Sequence, residues 1–234
     1  MTRIIEFLIA LGIVAGLFVI IGVCLPGERH ISESIETNRK MTIVFDTVNS
    51  LRRFKDWNPL VLRDPAIKLS LSGPDSGVGA RLDYQSEERG IGAGSWTLAE
   101  SEKNKRIAFD LETVDPGRNK RMEFLLEPTG RNNRNVQITQ TYDIDYGWNL
   151  LGRYAGMYVS SNVGEDIKMG LTRLSNMLAT VPNYDYNELA KADAAAAPKL
   201  ADRGAENVLV VTAAVERNNE KVQSTMNNNM QWIT

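Results

Sequence analysis

The side chains best suited to hold an apolar molecule are aromatic, and they recur along the middle of the chain. Their rings offer flat apolar surfaces, while tyrosine hydroxyl and tryptophan N–H groups can orient a bound molecule. Further along, a methionine beside tyrosines offers a flexible thioether that adapts to guests of different shape. We predict contact with a ligand for Trp57, Tyr84, Trp96, Phe109, Phe124, Tyr142, Tyr154 and Met157. The alternative is that these residues form an ordinary aromatic core.

Two carboxylates could do acid–base chemistry. Asp143 and Asp145 occupy alternate positions, so in a strand they would share one face. In an apolar cavity their pKa values would rise, and the pair could serve as general acid and base. The alternative is that this face is solvated. His30 is the single histidine and Cys24 the single cysteine, which excludes His-rich metal sites, and we predict neither a metal nor a cofactor.

Charge argues against nucleic acid as a partner. The chain has 27 basic and 29 acidic side chains, a formal net charge of -2, and lacks the basic excess that phosphate neutralisation needs. Gly90-x-Gly92-x-Gly94 resembles a phosphate-binding loop only superficially, because it joins two predicted strands and does not precede a helix. Arg52-Arg53 and the basic cluster at 118–121 could touch anionic lipid, but helix surfaces and hairpin tips are normally charged, and we favour a solvated surface.

The N-terminal segment is long and apolar enough to cross a bilayer. Residues 7–25 carry no charge, and a helix of this length reaches about 28 Å, close to the hydrocarbon thickness of about 30 Å. Pro26-Gly27 then ends the helix. We predict a transmembrane anchor at residues 1–27 that contacts the membrane through residues 4–25, with the rest exported by analogy with signal anchors. A cleaved signal, a lipoprotein signal and a buried core helix are the alternatives.

The body of the chain predicts an α+β domain. Alternation predicts a strand at 30–38, and helical spacing predicts a helix at 41–57 that ends before Asn58-Pro59. Six further strands, separated by turn-rich pieces, begin near residues 67, 80, 94, 106, 121 and 135. A helical stretch at 150–180 carries the apolar stripe Val163, Ile167, Leu171, Leu174 and Leu178. Its glycines predict a break near residues 160–164.

The C-terminal part is predicted to be separate. Residues 182–205 are rich in alanine and mixed charge, which is typical of a linker. Residues 206–215 form a strand-like apolar run, and residues 218–233 have helical spacing. One strand and one helix cannot close a core alone. The piece at 206–234 therefore either packs on the first domain or begins an incomplete second one.

The order of elements over residues 30–181 resembles the START-related helix-grip superfamily, also called SRPBCC or polyketide cyclase-like. The resemblance is carried by the helix ending in Lys55-Asp56-Trp57-Asn58-Pro59, by Gly77-x-Gly79-Ala80, and by the strands Gly94-Ser95-Trp96 and Ile107-Ala108-Phe109. It implies a ligand-binding helix-grip domain at residues 28–181. In such a domain a curved seven-stranded antiparallel sheet surrounds a long C-terminal helix and encloses a cavity for lipids, sterols or polyketides. Residues 206–234 resemble the opening strand and helix of a gyrase-inhibitor-like effector-binding domain.

Three functions are compatible with this sequence. The favoured hypothesis is a membrane-anchored protein that binds a hydrophobic small molecule or lipid in the helix-grip cavity and is not an enzyme. The alternative is a cyclase or aromatase in which a buried carboxylate or tyrosine moves protons. In a third interpretation the protein's own side chains fill the cavity, and the domain serves as a structural or interaction module.

Overall fold

The computed structural model describes residues 2–184 and 218–230. The chain divides into two units, residues 1–186 and 187–234. The first unit begins with a long helix and continues as an α+β domain. In the second unit the described residues form a single helix, Asn219–Met230.

The helices are α1 Thr2–Cys24, α2 Met41–Val48, α3 Phe54–Trp57, α4 Leu60–Arg63, α5 Leu150–Ala155, α6 Val159–Thr180 and α7 Asn219–Met230, with 3-10 turns at Leu51–Arg53 and Arg131–Asn133. The strands are β1 Glu28–Thr37, β2 Lys68–Ser72, β3 Arg81–Gln85, β4 Ala93–Glu102, β5 Arg106–Glu112, β6 Arg118–Thr129 and β7 Asn135–Asp145.

The strands form one seven-stranded sheet in the order β1-β7-β6-β5-β4-β3-β2, and every neighbouring pair is antiparallel. The predicted antiparallel meander is thereby confirmed, with β1 closing against β7. Register shifts interrupt β4 between Leu98 and Glu100 and β6 between Arg118 and Arg121. Such bulges bend a strand and increase its twist.

One face of the sheet and one face of α6 make the core. Alternation places Ile107, Phe109 and Phe124 on the inner face, where each is fully buried. The stripe on α6 packs against this face, with Leu174 and Leu178 fully buried. The predicted long C-terminal helix is therefore confirmed, and its period of 3.6 explains why one side of it is apolar.

The break in the last helical stretch lies earlier than predicted. The chain leaves the helix at Gly156 and re-enters it at Val159, whereas Gly164 lies inside α6. A Cβ at Gly156 would lie 2.7 Å from a ring carbon of Tyr146, while one at Gly164 would only reach Ile31 at 3.8 Å. Tyr146 approaches Gly152 inside α5 equally closely, so this contact explains why both positions are glycine but does not explain where the helix breaks.

The helix predicted at 41–57 is interrupted. Ser50 is extended, and its hydroxyl accepts a hydrogen bond from the Arg52 amide at 3.4 Å. The segment consequently folds as α2, a 3-10 turn and α3. Serine at such a position satisfies a free amide at a helix start and competes with continuation of the helix. As predicted, the segment ends before Pro59, with Asn58 extended.

Helix α1 is apolar and almost entirely exposed. Among the described residues, residues 3–24 form one helix long and apolar enough to span a membrane. Within the part of the chain that the structure describes, its C-terminal end packs against α5. A buried core helix, one of the alternatives above, does not describe this arrangement.

The second unit contributes one helix, α7, to the described residues. Helix α7 agrees with the helical spacing seen in the sequence, and Val222, Met226 and Met230 are exposed on it. The predicted strand at 206–215 and most of the predicted linker lie outside the described residues. The domain limits and the resemblance to an effector-binding domain remain predictions.

Candidate ligand-binding cavity

A cavity of about 350 Å³, partly open to the surface, lies between the sheet, the α3–α4 region and the first half of α6. Its floor and walls come from strands β3 to β7, and its rim from loops and helix ends. The residues that line it include Trp57, Arg63, Tyr84, Trp96, Thr113, Asp115, Met122, Gln140, Tyr142, Ile144, Tyr146, Ala155, Tyr158, Val159, Val163, Asp166 and Gly170.

Four of the predicted ligand-contacting residues meet at this cavity, namely Trp57, Tyr84, Trp96 and Tyr142. Three of them reach it from strands, where the period of two turns them toward the inner face. Trp57 comes from the last turn of α3, just before the proline that ends the helix. Strand alternation therefore brings side chains distant in sequence to one surface.

Phe109 and Phe124 are outside the cavity lining and pack behind it. The Trp96 and Phe109 ring centroids are 5.6 Å apart, and those of Trp57 and Phe124 are 5.8 Å apart, both pairs edge to face. Such contacts hold aromatic rings in defined orientations. The two phenylalanines therefore position the tryptophans that line the cavity, and direct contact of either phenylalanine with a ligand remains a prediction.

Glycine at position 94 makes room for Tyr84. The two residues pair across β3 and β4, and a Cβ at Gly94 would lie 2.6 Å from the Tyr84 ring carbon Cζ. The same Cβ would lie even closer to the backbone carbonyl oxygen of Glu112, so a larger residue would clash with the neighbouring strand as well as with the phenol ring. This contact explains a glycine inside a strand and shows that Gly94 has a packing role, in contrast to the phosphate-binding role considered for Gly90-x-Gly92-x-Gly94.

Two buried polar atoms of lining residues have no hydrogen-bond partner among the described residues: Nε1 of Trp57 and Oε1 of Gln140. The amide nitrogen of Gln140 is used, since it donates to Sδ of Met122 at 2.7 Å. A buried polar atom without a partner destabilises a fold by about 1–3 kcal/mol. Both atoms are closed off from solvent, so a bound molecule could pair with them only after these side chains move.

The tyrosines of the wall stay uncharged at neutral pH. Burial raises the pKa of Tyr142, with smaller contributions from Tyr146, Asp115 and Tyr84. Burial also raises the pKa of Tyr84 and of Tyr146, and Asp115 adds to both effects. The hydroxyl groups can therefore donate or accept hydrogen bonds without bringing charge into the cavity.

The rim carries an ion pair. Nη2 of Arg63 donates to Oδ1 of Asp166 at 2.7 Å, and both residues line the cavity. Burial raises the pKa of Asp166 above its ordinary value, the neighbouring Glu165 adds to this, and Arg63 opposes it. The pair joins α4 to α6 on one side of the opening.

A buried lysine holds the turn that closes another side. Lys120 lies on β6, and its ammonium donates to the Thr113 hydroxyl at 2.7 Å, the Thr113 carbonyl at 3.2 Å and the Asp115 carbonyl at 2.6 Å. Burial lowers the pKa of Lys120. With these partners the ammonium is committed to the turn between β5 and β6, whose residues Thr113 and Asp115 line the cavity.

Tyr154 and Met157 lie away from the cavity lining. The Tyr154 ring stacks on Phe18 of α1, with centroids 4.4 Å apart, and its hydroxyl donates to the Phe18 carbonyl at 2.7 Å. Met157 is exposed in the short connection between α5 and α6. Their predicted role in binding a ligand has no support from this placement, while their neighbour Tyr158 does line the cavity.

The two carboxylates considered for acid–base chemistry are also elsewhere. Oδ1 of Asp143 accepts a hydrogen bond from His30 Nδ1 at 2.6 Å on the exposed side of the sheet. Asp145 pairs with Arg118 at 3.4 Å and accepts from the Gly147 amide. Strand parity explains this, because Tyr142 and Ile144, which alternate with them along the strand, take the inward positions. Within the described residues, no three metal-binding side chains cluster.

Several lining residues were missed by reasoning from sequence. Gln140 and Tyr146 share strand parity with Tyr142, so the same alternation could have identified them. Arg63 and Asp166 carried no such signal, since they belong to different helices and meet only through packing. The basic cluster at 118–121 lies among acidic side chains. Arg121 forms ion pairs on the outer face of the sheet with Glu100, Asp110 and Glu123.

A seven-stranded antiparallel sheet closed on a long C-terminal helix, with a cavity between them, defines a helix-grip protein. Norcoclaurine synthase from Thalictrum flavum is 12% identical to this chain, with a TM-score of 0.50 over 66% of this chain and 96% of that one. This likeness supports the helix-grip fold predicted from the sequence. At such low identity it shows the fold alone.

Further solved structures align over a similar length. A protein from Thermobifida fusca is 17% identical over 67% of this chain and 97% of its own, with a TM-score of 0.47. One from Chromobacterium violaceum is 13% identical over 65% and 98%, with a TM-score of 0.48. No family model matches this chain, and no curated protein sequence matches it.

Proposed function

We propose that this protein binds a small hydrophobic molecule in its helix-grip cavity while α1 anchors it in a membrane. The observation that carries the proposal is the cavity of about 350 Å³ walled by aromatic rings and uncharged hydroxyls. Small-molecule pockets of this kind are mostly apolar, with a few polar groups that orient the guest. Binding without catalysis is the simplest use of such a site.

The chemistry of the wall narrows the ligand class. The interior tyrosines are neutral. Of the three charged lining residues, Arg63 and Asp166 pair with each other at the rim, and Asp115 is exposed. A guest with a net charge would lose hydration without gaining a buried counter-ion. The unpartnered atoms of Trp57 and Gln140 favour a guest with one uncharged polar group, such as a hydroxyl or carbonyl.

The size of the cavity supports a compact guest. Ligand pockets usually measure about 300–1,000 Å³, so this cavity is near the lower end of the range. A single ring system or one acyl chain suits this space better than a two-chain phospholipid. We therefore favour a single-chain lipid or a polycyclic molecule as the ligand.

Membrane anchoring is supported by α1. A helix of 23 residues reaches about 34 Å, enough for the hydrocarbon core of about 30 Å. Anchoring would keep the cavity near the bilayer, where apolar molecules concentrate. The effective concentration of such molecules at the cavity would therefore be higher than in bulk water. Export of the domain is part of the same proposal, and protease accessibility in sealed cells would test it.

Native mass spectrometry of the full chain in a mild detergent, followed by solvent extraction, tests ligand binding. The wild type should carry a hydrophobic molecule that resists exchange with detergent. Val163→Trp should abolish its recovery, because Val163 lines the cavity on α6. Met169→Trp is the matched control, since Met169 is exposed on the same helix. Repeated recovery of empty, folded wild-type protein that also binds no lipid from a panel would refute the proposal.

An enzyme is the second candidate, favoured by one observation. Asp166 is a cavity carboxyl whose pKa is raised by burial, a property useful in a general acid. If the protein is an enzyme, it should convert the extracted molecule to a product, and Asp166→Asn should remove that conversion while leaving occupancy intact. Recovery of the extracted molecule unchanged after incubation with wild-type protein would favour binding alone.

A further inference from the structure

An exposed apolar surface flanks α5 at one end of the domain. Trp148 is 80% exposed, Leu151 72%, Met157 50% and Tyr158 66%. All four lie within eleven consecutive positions, 148–158, around a six-residue helix. We call this set the α5 surface. Contiguous apolar patches on a protein surface commonly mark an interaction site.

The α5 surface is continuous with the end of the membrane helix. The guanidinium of Arg153 donates to the carbonyls of Val23 at 2.9 Å and Leu25 at 3.1 Å, which are free carbonyls at the C-terminus of α1. Tyr154 stacks on Phe18 one turn further in. These bonds fix α5 beside the point where α1 would leave the hydrocarbon.

We propose that the α5 surface rests in the interfacial layer of the bilayer that α1 spans. The occupant is therefore lipid, and the inference depends on the membrane anchoring proposed above. Tryptophan, tyrosine and arginine are the residues that concentrate at this depth. The Arg153 guanidinium lies 5.3 Å from the Trp148 ring centroid. At the boundary between water and lipid, the arginine can keep its charged end toward water while the tryptophan ring contacts acyl chains.

The α5 surface also borders the cavity. Tyr158 belongs to both, and its neighbours Ala155 and Val159 line the cavity. With the α5 surface on the bilayer, this part of the cavity rim faces lipid. An apolar guest could then move between membrane and cavity without crossing open water.

The arrangement is tested by nitroxide labels in the full chain, reconstituted in phosphatidylcholine bilayers, on a Cys24→Ser background. Single cysteines replace Leu151, Tyr158, Ile13 within α1, and Leu71 on edge strand β2, which is 52% exposed. Collision rates with oxygen, which partitions into lipid, and with a water-soluble nickel chelate report the depth of each label. We expect the oxygen-to-nickel ratio at Leu151 and Tyr158 to exceed that at Leu71 several-fold.

The labels separate the two proposals. A low ratio at Ile13 would refute the membrane anchor and, with it, this inference. A high ratio at Ile13 together with ratios at Leu151 and Tyr158 equal to that at Leu71 would overturn the inference and leave the anchor standing. A high ratio at Leu151 alone would keep the α5 surface on the bilayer and overturn its extension to the cavity rim.

Discussion

If the cavity binds a ligand as proposed, Gln140 is a residue that would serve binding at the expense of stability. Its side chain is buried, its Oε1 has no hydrogen-bond partner within the described residues, and it faces the same cavity as Tyr142. An apolar residue of similar size would fit this wall better. Retention of an amide there is the feature expected of a ligand contact.

We expect Gln140→Leu to leave the free energy of unfolding unchanged or to raise it by up to about 1 kcal/mol, because the unpartnered acceptor disappears. Ligand recovery should fall. Urea titration in mild detergent and native mass spectrometry measure the two effects. Gln137→Leu, at an outer position of the same strand, should leave ligand recovery unchanged. A loss of stability above about 1 kcal/mol in Gln140→Leu would assign the residue a structural role.

Asp166 predicts a pH dependence. Burial raises its pKa in the folded protein, so above the ordinary carboxyl value the folded state binds more protons than the unfolded state. Stability from this group is therefore present below the unfolded pKa and is lost as pH rises through the folded one. Asn does not titrate, so the stability of Asp166→Asn relative to wild type should increase from pH 4 to pH 7.

Urea titrations of both proteins at several pH values measure this difference. Glu127→Gln, on an exposed position of β6, controls for loss of a carboxyl at the surface. A difference between Asp166→Asn and wild type that stays constant or shrinks as pH rises would contradict the assignment. In that case attraction to Arg63 would outweigh burial.

At the scale of elements, α6 carries two glycines with opposite surroundings. A Cβ at Gly164 would meet Ile31 at an ordinary 3.8 Å, whereas a Cβ at Gly170 would lie 3.2 Å from Cδ of Pro59. Alanine is favoured over glycine inside a helix by about 0.5–1 kcal/mol. The close approach of α6 to the α3–α4 region therefore requires glycine at position 170. Position 164 has room for alanine.

Gly164→Ala should raise the free energy of unfolding by about 0.5–1 kcal/mol, since it removes backbone freedom without a clash. Gly170→Ala should be less stable than Gly164→Ala by about 1 kcal/mol, because Pro59 must move. Gly170 also lines the cavity, so only its variant should lose ligand. Equal stability of the two variants would show that α6 shifts freely against Pro59.

The strands were the elements best predicted from sequence, because alternation of buried and exposed residues is local. The prediction for β7, residues 135–145, coincides with Asn135–Asp145. Helices with tertiary contacts at their ends were predicted less well. Ser50 interrupts the first helical segment, and the last helical stretch breaks between Ala155 and Val159, earlier than predicted. Neither effect has a periodic signal.

At the scale of the whole molecule, the proposed anchor predicts how the protein fractionates. The full chain should stay with membranes through carbonate extraction, because α1 is apolar on all sides and exposed. Leu11→Arg combined with Val14→Arg should release it, since a central arginine costs about 2.5–3.5 kcal/mol on insertion. The matched control, Leu11→Ala with Val14→Ala, should remain in the pellet. Release of the wild type would contradict the anchor.

The sequence alone determined which segments form strands, that an apolar helix precedes them, and that a long amphipathic helix follows. These properties depend on the period of hydrophobic residues, which neighbouring positions carry. It also identified Trp57, Tyr84, Trp96 and Tyr142, which the structure brings to one cavity. The sequence did not distinguish these cavity-lining residues from Phe109 and Phe124, which pack behind the cavity. Strand parity tells which face of the sheet a side chain is on, but not whether it lies beside the cavity or in the packed core.

Only the tertiary structure decided where the space lies and what surrounds it. The ion pair of Arg63 with Asp166 joins two helices that are 103 positions apart in sequence, and Arg153 bonds to α1 carbonyls from 128 or more positions away. Contacts of this range follow from packing of complete elements, and no local pattern encodes them. The cavity and the α5 surface exist for the same reason, since both are formed by elements that meet only in the folded chain.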